Sequence, residues 1–275
     1  MNLRWILSGA ACVLACFGTL HAFQKPWREY PAVEYNDFPA PADYNVPAEW
    51  VFARLMFPPG PLDGYSRTGR FTGDYRLGAS LWTQDYPRAD RHFARAIRRL
   101  TRIDARSVEQ VVSLDDDDVY NWPFLYAVQA GEWGLTEKEG AKLRDYLLRG
   151  GFFMADDFHG TLEWGEFEKR IRYAFPDRSI TEIEDTDPVL HSVYDIGDRP
   201  QIPGYEHLRE GHKNDGIGSH WRAIRDDHNR IMIAISFNSD MGDAWEFADS
   251  PYYPEKIVDL AVRMGVNDVV YAMSH

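Results

Sequence analysis

The eleven residues from Gly150 to Gly160, GGFFMADDFHG, constrain the fold more than any other stretch. The glycine pair ends whatever precedes it. Phe152-Phe153-Met154-Ala155 then offers apolar side chains to both faces of an extended chain. That is the pattern of a central strand in a parallel sheet covered by helices on both sides. Two carboxylates, Asp156 and Asp157, follow at once, then Phe158, His159 and Gly160. Ligands of open parallel sheets bind beyond the carboxyl ends of the strands. A helix beginning near Thr161 aims its amino end at the same region. Strand, tight turn and helix make a nucleophile elbow, with Asp157 at the apex where Ser or Cys usually stands. Strand alternation fails at a turn. We therefore expect Asp157 to face a cleft with His159 in reach, and Asp156 to accept hydrogen bonds from nearby backbone, since a buried, unpaired carboxylate is costly.

The rest of the chain alternates strands with amphipathic helices. Strands are expected at Glu49–Phe57, Val108–Leu114, Leu125–Gln129, Phe152–Ala155, Ile180–Ile183 and Ile231–Phe237. Pro87–Leu100 reads as a helix, with Ala89, Phe93, Ala96, Ile97 and Leu100 on one stripe, Pro87 in the first turn and Asp85 as cap. Thr136-Glu-Lys-Glu139 is a capping box opening a helix to about Arg149. Thr161–Ala174 and Pro254–Met264 read as helices, the last stopping at Gly265. The order implies an α/β domain with a largely parallel sheet between two helical layers. Asp115–Asp118 reads as a solvated loop, with a cation site as the alternative.

The chain has 275 residues and a formal net charge of −13. Residues 1–22 hold one Arg and no acid, so the remainder carries about −14. Such a surface repels nucleic-acid phosphates and anionic membranes. Met1–Arg4 followed by the uncharged run Trp5–Leu20 reads as an export signal cut after Ala22. A retained N-terminal membrane anchor and a lipoprotein start at Cys16 are alternatives. The expected location is periplasmic or secreted. Both cysteines, Cys12 and Cys16, lie in this segment. A cut at Ala22 removes disulfides, thiolate catalysis and thiolate metal sites together. Residues 23–48, rich in Pro and aromatics, read as an extended arm laid over the domain, or as a spacer; residues 49–275 form one α/β domain.

Further polar groups follow the Ile231–Phe237 strand: Asn238, Asp240, Asp243, Trp245 and Glu246 are candidate binding residues. The acids could ligate a divalent cation through oxygen; the alternative is a hydrogen-bonded capping loop. Asp185, Asp187 and His191 could join the same edge. His207, His212 and His220 fit no zinc spacing and read as loop histidines.

The segments WTQDYPRADRHFARAIRRLT, SVEQVVSLDDDDVYNWPFLYAVQAG, LRDYLLRGGFFMADDFHGTLEW and IMIAISFNSDMGDAWEFAD resemble the family called domain of unknown function 4159, from Phe52 onward. That family resembles the class I glutamine amidotransferase-like superfamily, with the trehalose-utilisation-like proteins as relatives. The resemblance implies a three-layer, flavodoxin-like α/β fold. Amidotransferases carry Cys at the elbow and this chain carries Asp157, so glutamine hydrolysis is not expected. Two functions remain. The first is a binding or scaffold module for a carbohydrate or an envelope protein, served by abundant Trp and Tyr. The second is a hydrolase of a sugar or cell-envelope substrate, with Asp157 as nucleophile or base, His159 as its partner and Asp156 as an orienting or metal-binding group.

Overall fold

The computed structural model describes residues 25–35, 37–64 and 73–275. The segment read as an export signal, both cysteines and residues 65–72 of the glycine-rich loop lie outside the described residues. Among those described, no helix is long and apolar enough to cross a membrane.

The elements run β1 (Ala53–Met56), α1 (Arg88–Leu100), β2 (Gln110–Ser113), β3 (Phe124–Ala127), α2 (Glu137–Leu148), β4 (Phe152–Phe158), α3 (Gly160–Ile171), β5 (Thr181–Glu182), β6 (His220–Arg225), β7 (Ile231–Phe237), α4 (Met241–Glu246) and α5 (Glu255–Ser274). One sheet takes the order β2-β1-β3-β4-β7-β6-β5. β2, β1, β3, β4 and β7 are mutually parallel, and β6 is antiparallel to both of its neighbours. The chain is thus a mixed α/β fold with β4 in the centre.

Two cores sandwich the sheet. On one face Leu143, Leu147, Phe167 and Ile171 from α2 and α3 meet Leu55, Phe153 and Ala155. On the other, Phe93 and Ile97 of α1, Trp245 of α4 and Ala261 of α5 meet Phe52, Phe124, Phe152 and Met154. Phe152 to Ala155 are buried on both faces, the burial that an all-apolar central strand needs. The capping box forms: Thr136 Oγ1 accepts from the Glu139 amide, and Glu139 Oε2 accepts from the Thr136 amide at 2.9 Å.

Several boundaries depart from the sequence reading. β4 continues to Phe158 instead of stopping at Ala155, because β7 continues to pair with it beyond the acids. α5 runs on to Ser274 instead of ending at Gly265. Gly265 sits where a Cβ would press on the Phe93 ring and on Trp245. It permits close helix packing and does not terminate the helix. Strand β6 falls where loop histidines were read; its first residue is His220.

The arm lies along the domain in its described part. Tyr30 packs edge-on to Trp82, Trp27 against Tyr44 and Phe38 against His92. Glu29 pairs with the buried Arg91 at 2.7 Å, and Lys25 pairs with Asp116. Asp115, Asp116 and Asp117 are met by Arg76, Lys25, Lys138 and Lys142, so this run is an ion-paired turn.

Candidate functional site

β4 and β7 step out of register after Ala155. Asp156 and Asp157 together face one residue of β7, Ser236, before Phe158 pairs with Phe237. Two residues opposite one make a β-bulge, which turns a side chain out of the regular alternation. The extra residue is Asp157, with φ +51°. Left-handed backbone costs a non-glycine residue about 1–3 kcal/mol and gathers at functional sites. The bulge lets Phe158 rejoin the face of Phe153 and Ala155, and it aims Asp157 into a cavity of about 500 Å³ beyond the strand ends.

Asp156 turns the other way. It accepts from Tyr126 Oη at 2.8 Å, Ser236 Oγ at 2.5 Å, and the amides of Met241 at 3.2 Å and Gly242 at 2.9 Å. Burial, with the charge of Asp157, still pushes its pKa up to about 6. Asp156 therefore ties β4 to β3, β7 and the start of α4.

Asp157 Oδ1 lies 3.1 Å from His159 Nε2 and 3.8 Å from Lys213 Nζ. Burial opposes its charge, but Lys213 and the His159 hydrogen bond outweigh this and hold its pKa below the ordinary carboxylate value. Asp157 and His159 are each 2% exposed. Asp157 Oδ2 and His159 Nδ1 have no hydrogen-bond partner among the described residues. The amino end of α3, by contrast, is closed. The amides of His159, Gly160 and Thr161 donate to Glu163 at 2.6 Å, Asn238 at 2.9 Å and Asp215 at 2.8 Å. It offers no vacant anion pocket, contrary to the sequence expectation.

The strongest feature of the cavity is its acid cluster. Asp85, Asp240 and Asp243 present oxygens all within 4.8 Å of one another, as do Glu34, Asp85 and Glu246. Asp157, His159 and Asp240 form a third such group. Sequence reasoning assigned Asp85 as the cap of α1. Instead its backbone is left-handed, φ +59°, and its carboxylate turns inward. It is 1% exposed, and neither of its oxygens has a hydrogen-bond partner among the described residues. Two carboxylates at this separation repel by about 3–4 kcal/mol if both are ionised in a medium of effective dielectric near 20. Burial and then the charge of Asp243 push Asp85 well above the carboxylate range and Glu246 up to about 9. Glu34, Asp240 and Asp243 are raised as well, each chiefly by burial.

Local structure holds each acid in place. Asp240 caps α4, accepting from the Asp243 amide at 2.8 Å. Asp243 accepts from the Tyr205 amide at 2.5 Å. Glu34, on the arm, accepts from the Asp85 amide at 2.7 Å, and Tyr35 donates to Glu246. Gly242 is required here because a Cβ would collide with the Asp85 carboxylate and the Tyr126 hydroxyl.

Other groups line the cavity: Gln84, Gln129, Glu132, His207, Lys213, Tyr205 and Phe247. Burial, then repulsion from Glu163, raises Glu132 to about 7. Burial opposes the charge of Lys213, but Asp157, Glu163 and Glu132 raise its pKa overall. Tyr205 and Phe247 stack at 4.3 Å on the rim.

The candidates from the sequence thus divide. Asp157, Asp240, Asp243 and Glu246 line the cavity, with His159 behind Asp157. Asn238 is spent on structure, accepting from Gly160 and donating to the Gly218 carbonyl at 2.9 Å. Trp245 does not line the cavity: it is fully buried and stacked on Phe93 at 4.2 Å. Asp185, Asp187 and His191 do not join the site. They pair with Arg199, Arg225 and Asp195 elsewhere. His220 pairs with Glu182, whereas His207 does reach the cavity. Sequence reasoning missed Glu34, Asp85, Glu132 and Lys213. Each stands alone among unrelated residues, and the one available cue was left-handed backbone at Asp85, which a sequence does not display.

A search of curated proteins finds no match. The family described as "Domain of unknown function (DUF4159)" matches residues 74–273, which include every acid lining the cavity except Glu34. With nearly three quarters of the sequence inside that match, the chain belongs to the DUF4159 family.

Proposed function

We propose that this protein is an exported module whose cavity takes up a divalent cation between Asp85, Asp240 and Asp243 and uses it to hold an oxygen-rich ligand, such as a sugar or a cell-envelope polymer. The observation that carries this reading is Asp85: a buried carboxylate with two unpartnered oxygens, facing other carboxylates. Buried charge is tolerated when it is paired or coordinates a metal. An all-oxygen set suits Ca²⁺, Mg²⁺ or Mn²⁺ better than zinc. Opposite ligands of such an ion, at about 2.1–2.4 Å each, lie up to about 4.8 Å apart, the span found among these oxygens. The basic start and apolar run of the first 22 residues support export. The parallel strands, taken in chain order, run 2-1-3-4-5, which supports a flavodoxin-like or amidotransferase-like ancestry.

A second reading, hydrolysis, is favoured by the Asp157–His159 pair. Asp157 lines the cavity, keeps one unpartnered oxygen and has its charge stabilised, as a nucleophile or base requires. Glu132, held near neutrality across the same cavity, could supply the proton. When bound, the cation would polarise a ligand oxygen and neutralise developing charge. Asp157 would then either attack the scissile carbon, forming an ester that water later hydrolyses, or take the proton of a water that attacks it; His159 would orient Asp157, and Glu132 would protonate the leaving group as its bond breaks.

Titration calorimetry of metal-stripped protein with Ca²⁺ and Mn²⁺ tests the first reading. Wild type should bind and Asp85→Asn should weaken binding at least tenfold. No binding by wild type at millimolar cation refutes it. Turnover of chromogenic glycosides or peptidoglycan fragments, abolished in Asp157→Asn with cation binding retained, separates hydrolase from binding module.

A further inference from the structure

The arm reaches the acid cluster, and this has a consequence beyond a single cation. Glu34 lies outside the family match, on a segment whose aromatics pack over the domain. It nevertheless presents an oxygen within 4.8 Å of oxygens from Asp85 and Glu246. Its Oε2 is occupied by the Asp85 amide, and one Glu246 oxygen is occupied by Tyr35. Glu34 keeps a second oxygen for another partner, and Glu246 also shares a hydrogen bond with the Asp243 carboxyl that an incoming cation would replace. Asp85 belongs both to this group and to the group with Asp240 and Asp243, and both its oxygens are unpartnered and buried.

We infer that the site is built for two divalent cations, with Asp85 bridging them: one between Asp85, Asp240 and Asp243, and a second between Asp85, Glu246 and Glu34 of the N-terminal arm. This rests on the cation reading above and extends it. A carboxylate with two unpartnered oxygens, shared by two groups of acids, can give one to each ion, and paired ions about 3.5–4 Å apart clamp two oxygens of one ligand. Once ionised by metal binding, five carboxylates supply five negative charges, which two divalent ions almost neutralise and one does not. The cations nearby already have partners of their own: Arg88 reaches Tyr35 at 3.0 Å and pairs with Asp249, Arg54 pairs with Asp90, and Lys213 lies 3.8 Å from Asp157. The arm then closes the metal centre. Tyr35, next to Glu34, fixes the arm to both α1 and α4 through Arg88 and Glu246.

The test uses the mature chain and Mn²⁺ alone, with stoichiometry from equilibrium dialysis and electron paramagnetic resonance of the bound ion. Wild type should hold two Mn²⁺ and show an exchange-coupled spectrum. Glu34→Gln, nearly isosteric, should hold one, with the uncoupled six-line spectrum of a lone ion. Glu246→Gln should do the same, and Asp240→Asn should lose the other ion. One Mn²⁺ in wild type, unchanged in Glu34→Gln, overturns the inference and leaves the single-cation reading standing. No bound Mn²⁺ in wild type overturns both. Two uncoupled ions would place the second elsewhere and overturn the bridge. Thermal melting of each variant without metal shows that it is folded.

Discussion

Replacing Asp156 and Asp157 by alanine, one at a time, should give opposite results although the residues are adjacent and both buried. Asp156→Ala removes the acceptor of four donors. Two of them can turn elsewhere: Ser236 Oγ already lies 3.2 Å from the Ala155 carbonyl, and the Tyr126 hydroxyl can rotate. The amides of Met241 and Gly242 cannot move without shifting α4. Each buried amide left unpaired costs about 1–3 kcal/mol. Relief from burying a carboxylate whose pKa is pushed up to about 6 offsets part of this. The net loss should be about 2–4 kcal/mol, or roughly 5–15 °C in melting temperature for a domain of this size. Asp157→Ala loses one bond from His159 and an attraction to Lys213, and it relieves repulsion from the other acids. Its stability should change by no more than about 1 kcal/mol in either direction. Asp157→Gly should be no less stable than the alanine variant, because glycine accepts φ +51° without strain. Melting curves should be recorded in chelator, so that cation binding adds nothing to either variant. If Asp157→Ala proves the more destabilised of the pair, Asp157 is a structural residue of the bulge and the reasoning is wrong.

Gly242→Ala should destabilise by about 1–3 kcal/mol through overpacking and weaken cation binding by displacing the Asp85 carboxylate; unchanged calorimetry would contradict the placement of Asp85. Trp245→Phe should lower the melting temperature by several degrees and leave cation affinity unchanged, since Trp245 fills the core between Phe52 and Phe93; a loss of affinity at full stability would restore it as a binding residue. Burial, then the charge of Asp156, raises Asp268 to about 8, above its unfolded value of 3.8. The folded state thus keeps a proton that the unfolded state has lost, and this contribution to stability declines as pH rises from about 4 to about 8. Asp268→Asn should remove that decline, so that denaturant melts of variant and wild type diverge from pH 5 to pH 8; parallel curves would rule it out. Mass spectrometry of protein from its native host should find a chain beginning at Phe23, and an intact Met1 in the membrane fraction would favour an anchor.

The alternation of strands and helices was legible because each rests on local periodicity and local stop signals. Phe152 to Ala155 could hardly be anything but a central strand, and Thr136 with Glu139 marks a helix start through bonds made within four residues. The pairing of Asp157 with His159 was legible for the same reason, since the two are neighbours in sequence. What failed locally failed where a distant partner intervened. Gly265 looks like a stop until Phe93 and Trp245 press against it. Trp245 and Asn238 look available until the core and the α3 amino end claim them. Asp85 looks like a helix cap, yet its carboxylate is buried among the other acids. The acid cluster draws on the arm, on the turn before α1 and on α4, segments separated by roughly 50 and 150 residues. No spacing rule joins such residues. The parallel strand order brings the three segments to one edge, and only there does carboxylate repulsion, a property of distance and not of sequence, turn separate acids into a site.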